Sequence, residues 1–480
     1  MNAITAESLG SIEFKKDYGL RYAYVAGAMY KGIASKELVV AMGKAGMIGF
    51  LGTGGLDLTE IAAAIGFIKS ELPLGQPYGM NLLSNLDRPE LEEQTVELFL
   101  KSGVRYVEAA AFMRITPSLV RWRLAGLGRN PDGKIERPRR TLAKVSRPEV
   151  AAAFMQPAPQ TIVKALLASG RITPMEAELG QSIPMADEIC VEADSAGHTD
   201  QGVAYALMPA IFAVRDQMMA KYRYDELIKI GAAGGIGTPH AAAAALIMGA
   251  DFVLTGSINQ CTVEAGTSAA AKDLLEQLNV QDTAYAPAGD MFEMGARVQV
   301  ASKGLFFPAR ANKLYDLYRQ HNSIEEIDQK TRQQIQERFF KRSFDDVWNE
   351  TKSYYLRSNP GKLAEIEKNS KQKMALIFKW YFVHSARLAV HGSDEQKVDY
   401  QIHCGPAMGA FNQWVKGSDL QSWRNRRVAE IGLKIMRDTA QMLCNRFESM
   451  RADRPAPNRE VTDAEQVTRA SNIKSIHHRS

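Results

Sequence analysis

Residues 231–257, GAAGGIGTPHAAAAALIMGADFVLTGS, place one glycine-rich turn at Ala233-Gly234-Gly235 and another at Thr255-Gly256-Ser257, with an almost purely alanine helix between them. Each turn follows a short apolar run, so each reads as the end of a strand that feeds a helix. Working outward from this pair, apolar runs alternate with helical patterns back to residue 20. The expected strands are Tyr22–Ala26, Met47–Leu51, Tyr78–Leu82, Tyr106–Ala110, Leu142–Val145, Glu188–Glu192, Ile228–Ala232 and Phe252–Leu254. Helical stretches such as SKELVVAMGKAG and RPELEEQTVELFLKSG separate them, opened by Ser, Thr or Asp or closed by Gly. Strands alternating with helices imply parallel pairing through helical crossovers. Eight such units fit a (β/α)8 TIM barrel of the α/β class, with a doubly wound open sheet as the alternative.

Two stretches interrupt the alternation: a basic loop, GLGRNPDGKIERPRR (126–140), and a helical insertion near 157–185. Beyond residue 308 the pattern turns long, charged and helical, so the expected organisation is a barrel over 1–308, an all-helical subdomain over 309–451 and a mobile polar tail over 452–480.

At 480 residues and 45% hydrophobic, the chain is long enough for a large core plus an appendage. The opening residues lack the basic flank and apolar core of a secretory signal, and no apolar run approaches the ~20 residues that span a bilayer. The four cysteines, Cys190, Cys261, Cys404 and Cys444, form no CxxC pair. Neither a disulfide framework nor a structural metal site is expected, and a reducing cytoplasm fits. The net charge of +5 is unevenly spread: residues 301–480 hold 31 Lys and Arg against 21 Asp and Glu, a net of +10, and residues 1–300 a net of −5. A basic half favours encounters with an acidic partner. Arg424, Arg426 and Arg427 are a candidate docking cluster. No nucleic-acid-binding pattern accompanies the charge.

In a TIM barrel the loops after strands seven and eight lie side by side at the C-terminal face, where backbone N–H groups commonly hold a phosphate. Glycine suits that task because a Cβ would keep the phosphate away from the amides. The same glycines also suit plain tight turns and close packing of the alanine helix. A dinucleotide fingerprint fits less well, since its GxGxxG follows the first strand of a βαβ unit. If the phosphate belongs to a cofactor, the remainder lies over the barrel mouth near other strand ends. The candidates there are Gly27, Ala28 and Met29 after strand one, Asn81 at the end of strand three and Glu108 on strand four. Lys144 on strand five offers an ammonium to stabilise negative charge on a reduced ring. Strand six runs out through Gly197 to His198, an imidazole that titrates near neutrality and can give a proton or a hydrogen bond to a carbonyl.

The stretches VAGAMYKGIASKELVVAMGKAGMIGFLGTGG, YGMNLL, EADSAGHTDQG and GAAGGIGTPHAAAAALIMGADFVLTGS together resemble the FMN-dependent nitronate monooxygenase and FabK-type enoyl reductase superfamily. MFEMGARVQVASKGLFFPARANKLYDLYRQ and YQIHCGPAMGAFNQWVKGSDLQSWRNR resemble its PfaD-type branch, enoyl reductases that serve polyunsaturated fatty acid and trans-acyltransferase polyketide synthases. The resemblance implies FMN as cofactor, NADPH as hydride donor and an acyl carrier protein bearing a phosphopantetheine-linked enoyl chain as partner in a synthase megacomplex. It implies that Ala28 and Met29 sit against the flavin, that Asn81 contacts it, that Gly234, Gly235, Gly256 and Ser257 cradle the phosphate, and that His198 lies beside the ring. A homodimer is compatible with this architecture. Two other readings stay open: a nitronate oxidase, and a non-catalytic carrier-protein-binding scaffold.

Overall fold

The computed structural model describes residues 4–85, 88–358 and 360–452, so the expected tail lies, from residue 453 on, outside the described residues. Eight parallel strands close a barrel: β1 (Tyr24–Ala26), β2 (Ile48–Leu51), β3 (Gly79–Leu83), β4 (Tyr106–Ala110), β5 (Arg140–Val145), β6 (Glu188–Glu192), β7 (Lys229–Ala233) and β8 (Val253–Thr255). Neighbours in sequence are neighbours in the barrel, and β8 pairs back onto β1 in the register Tyr24 with Val253, Val25 with Leu254 and Ala26 with Thr255. All eight expected strands are present, displaced by at most two residues at either end. The open-sheet alternative is thereby set aside.

The expected start and stop signals act as caps. Asp57 and Glu60 form a reciprocal capping box at Leu58–Glu71, and the Thr238 hydroxyl accepts from Ala241 N–H to open the alanine helix Pro239–Ile247. The insertion near 157–185 contains the helices Gln160–Ala168 and Pro174–Leu179, and the basic loop forms a small antiparallel ribbon, Gly128–Arg129 with Ile135–Glu136.

Inside the barrel, Val25, Ile48, Phe50, Leu142, Cys190, Phe252 and Leu254 are buried with Phe14 and Tyr18 from the helix Ile12–Tyr18. Phe14 stacks on Phe252 with ring centroids 4.3 Å apart, and Tyr18 on Tyr106 at 4.5 Å. At the N-terminal ends of the strands, Tyr18 OH donates to Glu188 Oε2 at 2.6 Å, Arg140 reaches both Asp17 and Glu188, and Lys229 pairs with Asp17. These groups plug the barrel floor, which leaves the C-terminal mouth as the face open to a ligand.

The buried side chains beyond the barrel strands divide between two clusters. An antiparallel hairpin, β9 (Thr283–Pro287) with β10 (Arg297–Ala301), was not expected, and it belongs to the second core. Its Ala286, Val298 and Val300 are buried with Phe307, Phe340, Phe378, Tyr381 and Phe382 of the following helices, and together these elements form an appended unit with a core of its own. Among the described residues the buried members of this second core run no further than Phe382. From Tyr400 the chain returns to the barrel core, and the last helix, Val428–Ala452, packs on the alanine helix and on Lys36–Lys44. The alanine side chains are what allow that close approach. Gly432 comes so near the barrel that a Cβ there would lie 2.9 Å from Met47 Sδ.

The docking cluster expected at Arg424, Arg426 and Arg427 is corrected at its centre. Arg426 is fully buried and donates to Leu420 O, Gln421 O, Asn412 Oδ1 and Cys261 Sγ, which makes it a structural cross-link rather than a surface charge. Among the described residues no helix is long and apolar enough to cross a membrane.

Because Ile435 is fully buried in the barrel's own core, Ile435→Ala should lower the unfolding free energy by about 2–4 kcal/mol. Native-state hydrogen exchange should show faster exchange in the alanine helix as well as in the last helix. Acceleration confined to the last helix would show that residues 400–452 are not part of the barrel.

Candidate functional site

The cofactor and catalytic candidates fall in the C-terminal halves of barrel strands or in the loops just beyond them, with Asn81 and Glu108 at the centres of β3 and β4 and Lys144 one residue from the end of β5. Gly27 N–H donates to Thr255 O at 2.9 Å, which fixes the exit of β1 against the exit of β8. Ala28 N–H then donates to Glu108 Oε2 at 3.1 Å, and Asn81 Nδ2 donates to Glu108 O at 3.1 Å and to Oε1 at 3.4 Å. Met29 turns over the rim, where Gly52 is required: a Cβ on residue 52 would fall 1.6 Å from Met29 O. Lys144 Nζ stands between two carboxylates, 3.3 Å from Glu192 and 3.8 Å from Glu108. Ser195 Oγ donates to Glu192 Oε1 at 2.9 Å.

Ala28, Asn81, Glu108, Lys144 and Glu192 thus form one connected network across the mouth. Burial pushes the Glu108 carboxyl above the ordinary carboxylate range, against the pull of Lys144. Burial likewise opposes the charge of Lys144, but Glu192 and Glu108 together hold its ammonium above the usual lysine value. Lys144 therefore remains a cation throughout the physiological range, poised under whatever lies across the mouth.

The two glycine turns meet beside this network. Gly234 and Gly235 have φ of +87° and +72°, and a Cβ on Gly234 would sit 2.7 Å from Ala193 O. At Gly235 and Gly256 the position of a Cβ is open space, with no atom within 4 Å. Bare backbone with free room above it suits a phosphate, and it is the observation by which the site fits the phosphate end of a flavin nucleotide. The β8 turn is braced from beneath by Asn259, whose Nδ2 donates to Thr255 O at 3.0 Å, and by Tyr24 OH at 2.8 Å from Thr255 Oγ1.

A third wall comes from the returning C-terminal segment, which the sequence reading did not place at the site. Gly405 N–H donates to Ser257 Oγ at 3.0 Å, and Gln260 Nε2 donates to His403 O at 2.8 Å. Ala407 comes so close that a Cβ on Gly237 would lie 2.4 Å from its carbonyl oxygen. The IHCGPAMGA stretch was visible as a motif, but nothing local in it points to a loop more than 140 residues away.

His198 lies apart from the Lys144 network. With Thr199 it forms a short strand that pairs with β10, His198 opposite Val298, and its Nε2 lies 2.9 Å from Asp290 Oδ1. Burial works against its charge, but the Asp290 hydrogen bond and charge raise its pKa above the ordinary imidazole value. Burial holds the neighbouring His403 below that value. Gly197 sits at the turn between Glu192 and His198, its Cβ position 3.4 Å from Glu192 Oε1. Among the described residues no group of three His, Cys, Asp or Glu side chains is placed to hold a metal ion.

The closed barrel with its floor plugged, the glycine turns on two adjacent exits and the ion network at the mouth make the C-terminal face the candidate site. The chain belongs to the nitronate monooxygenase family, whose model matches residues 13–303. Residues 321–400 match a second model, the inserted helical domain of [acyl-carrier-protein] S-malonyltransferase. The polyketide biosynthesis protein PksE of Bacillus subtilis (strain 168) is 59% identical over 447 residues, 93% of this chain and 58% of that protein. One of the polyunsaturated fatty acid synthase polypeptides of Thraustochytrium sp. is 41% identical over 96% of this chain and 31% of its own length. The chain therefore spans little more than half of the first relative and under a third of the second. The crystal structure of the enoyl reductase domain of MlnA, from the macrolactin biosynthesis cluster of Bacillus amyloliquefaciens, superposes with a TM-score of 0.89 at 46% identity, covering 92% of this chain and 99% of that one. These relatives match the PfaD-type resemblance read from the motifs.

Glu108→Ala strips Ala28 N–H of its acceptor and Lys144 of one carboxylate, and should cost about 3 kcal/mol of stability in urea unfolding. Glu108→Gln retains an acceptor oxygen and should cost less than half as much. A Glu108→Ala protein as stable as the parent would contradict the network.

Proposed function

We propose that the chain is an FMN-dependent enoyl reductase acting in trans, which reduces the α,β-double bond of an enoyl thioester with NADPH during polyketide or polyunsaturated fatty acid biosynthesis. The substrate is carried on the phosphopantetheine arm of an acyl carrier protein. The observation that carries this reading is the open bare-backbone cradle on the exits of β7 and β8, at the same mouth as a half-buried ammonium and a carboxylate-paired imidazole. The likeness to a solved enoyl reductase domain over nearly its whole length supports it. So does the match of the appended helices to a domain from an enzyme that handles acyl carrier protein.

The amides around Gly234, Gly235 and Gly256 would grip the phosphate, with Ser257 and the Gly405 loop closing the far side. Ala28, Met29 and Asn81 would set the height of the ring system over the mouth. A bound flavin supplies hydride transfer from reduced nicotinamide to the β-carbon of the enoyl chain. Lys144 places positive charge beneath the mouth, where it stabilises negative charge accumulating there. His198, with Nε2 committed to Asp290, would in its charged form keep its Nδ1–H to give a hydrogen bond to the thioester oxygen or a proton to the α-carbon. The basic C-terminal half, and the likeness of residues 321–400 to a helical domain from a carrier-protein-dependent transferase, favour docking of an acidic carrier on the appended unit.

Anaerobic mixing tests the reading. NADPH should bleach the yellow protein, and an enoyl thioester on carrier protein should restore the colour with one equivalent consumed per flavin. Oxygen uptake with a nitroalkane, without any need for NADPH, would favour the nitronate oxidase instead. A colourless protein that accepts no flavin would leave only the scaffold.

A further inference from the structure

We propose that Asp290, carried by the appended unit, is the positioning residue for His198, fixing the orientation of the imidazole and stabilising its charged form at the barrel mouth. The inference rests on the reductase reading for its functional meaning, but the contact itself does not. His198 is held by the hairpin at two points: its backbone pairs with Val298 of β10, and its Nε2 lies 2.9 Å from Asp290 Oδ1 in the β9–β10 loop. The barrel's own strand β6 leads to the histidine, but both groups that fix it come from the other unit.

The loop that carries Asp290 is anchored in the second core. Phe292 is fully buried, with ring centroids 5.4 Å from those of both Tyr315 and Phe382. A Cβ on Gly289 would fall 2.9 Å from Phe382 Cβ, so the chain passes hard against the helix Ser370–His391. From that helix Lys379 pairs with Glu293 at 3.0 Å and reaches Asp290 O at 3.5 Å. The junction is fastened again by Asp194, whose carboxylate accepts from Thr199 Oγ1 at 2.8 Å, from Gln299 Nε2 at 2.6 Å and from Tyr285 OH.

The charged and titratable groups felt by His198 are Asp290, Glu192, Lys144 and His403, and Tyr30 lies within electrostatic range of Asp290. Lys144 and partial burial disfavour an imidazolium, and Glu192 already shares its charge with Lys144 and Ser195. That leaves Asp290 as the carboxylate hydrogen-bonded to the ring. The two side chains are 36% and 67% exposed, so the pair stands at the edge of water, and a substrate lying over it would strengthen the attraction by excluding solvent. Seating of the appended unit is thereby coupled to the presence of a charged, aimed imidazole in the barrel. A barrel without that unit would keep the cradle but present an unanchored histidine.

The test is the ring-nitrogen NMR titration of His198 in the 480-residue chain and in its Asp290→Asn variant, alongside the pH profile of kcat/KM for an enoyl thioester. The parent should titrate above the ordinary imidazole value of about 6.5, and Asp290→Asn below it. The alkaline limb of the profile should move to lower pH by the same amount. Asp290→Glu, which keeps the charge but displaces it by one methylene, should fall between the two, and it serves as the measured variant if Asp290→Asn does not fold. A His198 midpoint unchanged in whichever variants fold would overturn the proposal. Absence of thioester turnover in the parent would sink the reductase reading and leave the titration result standing.

Discussion

The pairing of β8 with β1 is the constraint from which the rest of this molecule follows. Three residues on each side, Tyr24 to Ala26 against Val253 to Thr255, turn an eight-stranded sheet into a closed wall. Closure removes the sheet edges and leaves two ends. Phe14, Tyr18 and the ions around Glu188 fill one of them. The exits of β7, β8 and β1 are then forced together at the other, which makes bare backbone at residues 234, 235 and 256 a single surface rather than two separate turns. The hydrogen bond from Gly27 N–H to Thr255 O is the local expression of that closure at the rim.

The chain leaves the barrel and returns to it. Side chains between Ala286 and Phe382 build a second, aromatic core, after which side chains from Tyr400 to Leu443 rejoin the first. The excursion delivers two loops to the mouth: the β9–β10 loop with Asp290, and the 403–405 segment that bonds Ser257. Neither could be placed there by a barrel alone. The mouth therefore depends on both cores being seated, which accounts for the half-buried Asp194 cross-link to the hairpin and the buried Arg426 cross-link in the returning segment.

The strands were legible in the sequence because each is a short apolar run bounded by caps and glycines, and those signals are local. The rim candidates followed from the strands, since a strand end in a parallel barrel has a known side. What was not legible is what depends on distant partners. The β9–β10 hairpin carries a proline and half-buried positions, so its alternation is weak. The last helix has an apolar stripe that would look the same against either core, and only contact with Tyr24, Met47 and the alanine helix shows which one it covers. Arg426 read as surface charge because its partners, Cys261 and Asn412, lie on other segments. Asp290 carried no signal at all, standing 92 residues from the histidine it holds.

The central claim is that glycine-lined backbone at two neighbouring strand exits binds the phosphate of a flavin nucleotide. Titrating flavin-free protein with flavin mononucleotide and, separately, with riboflavin tests it directly, because the two ligands differ only in that phosphate. The nucleotide should bind tightly and riboflavin at least hundredfold more weakly, a difference of about 2.7 kcal/mol. Equal affinity for the two, or binding of neither, would contradict the claim.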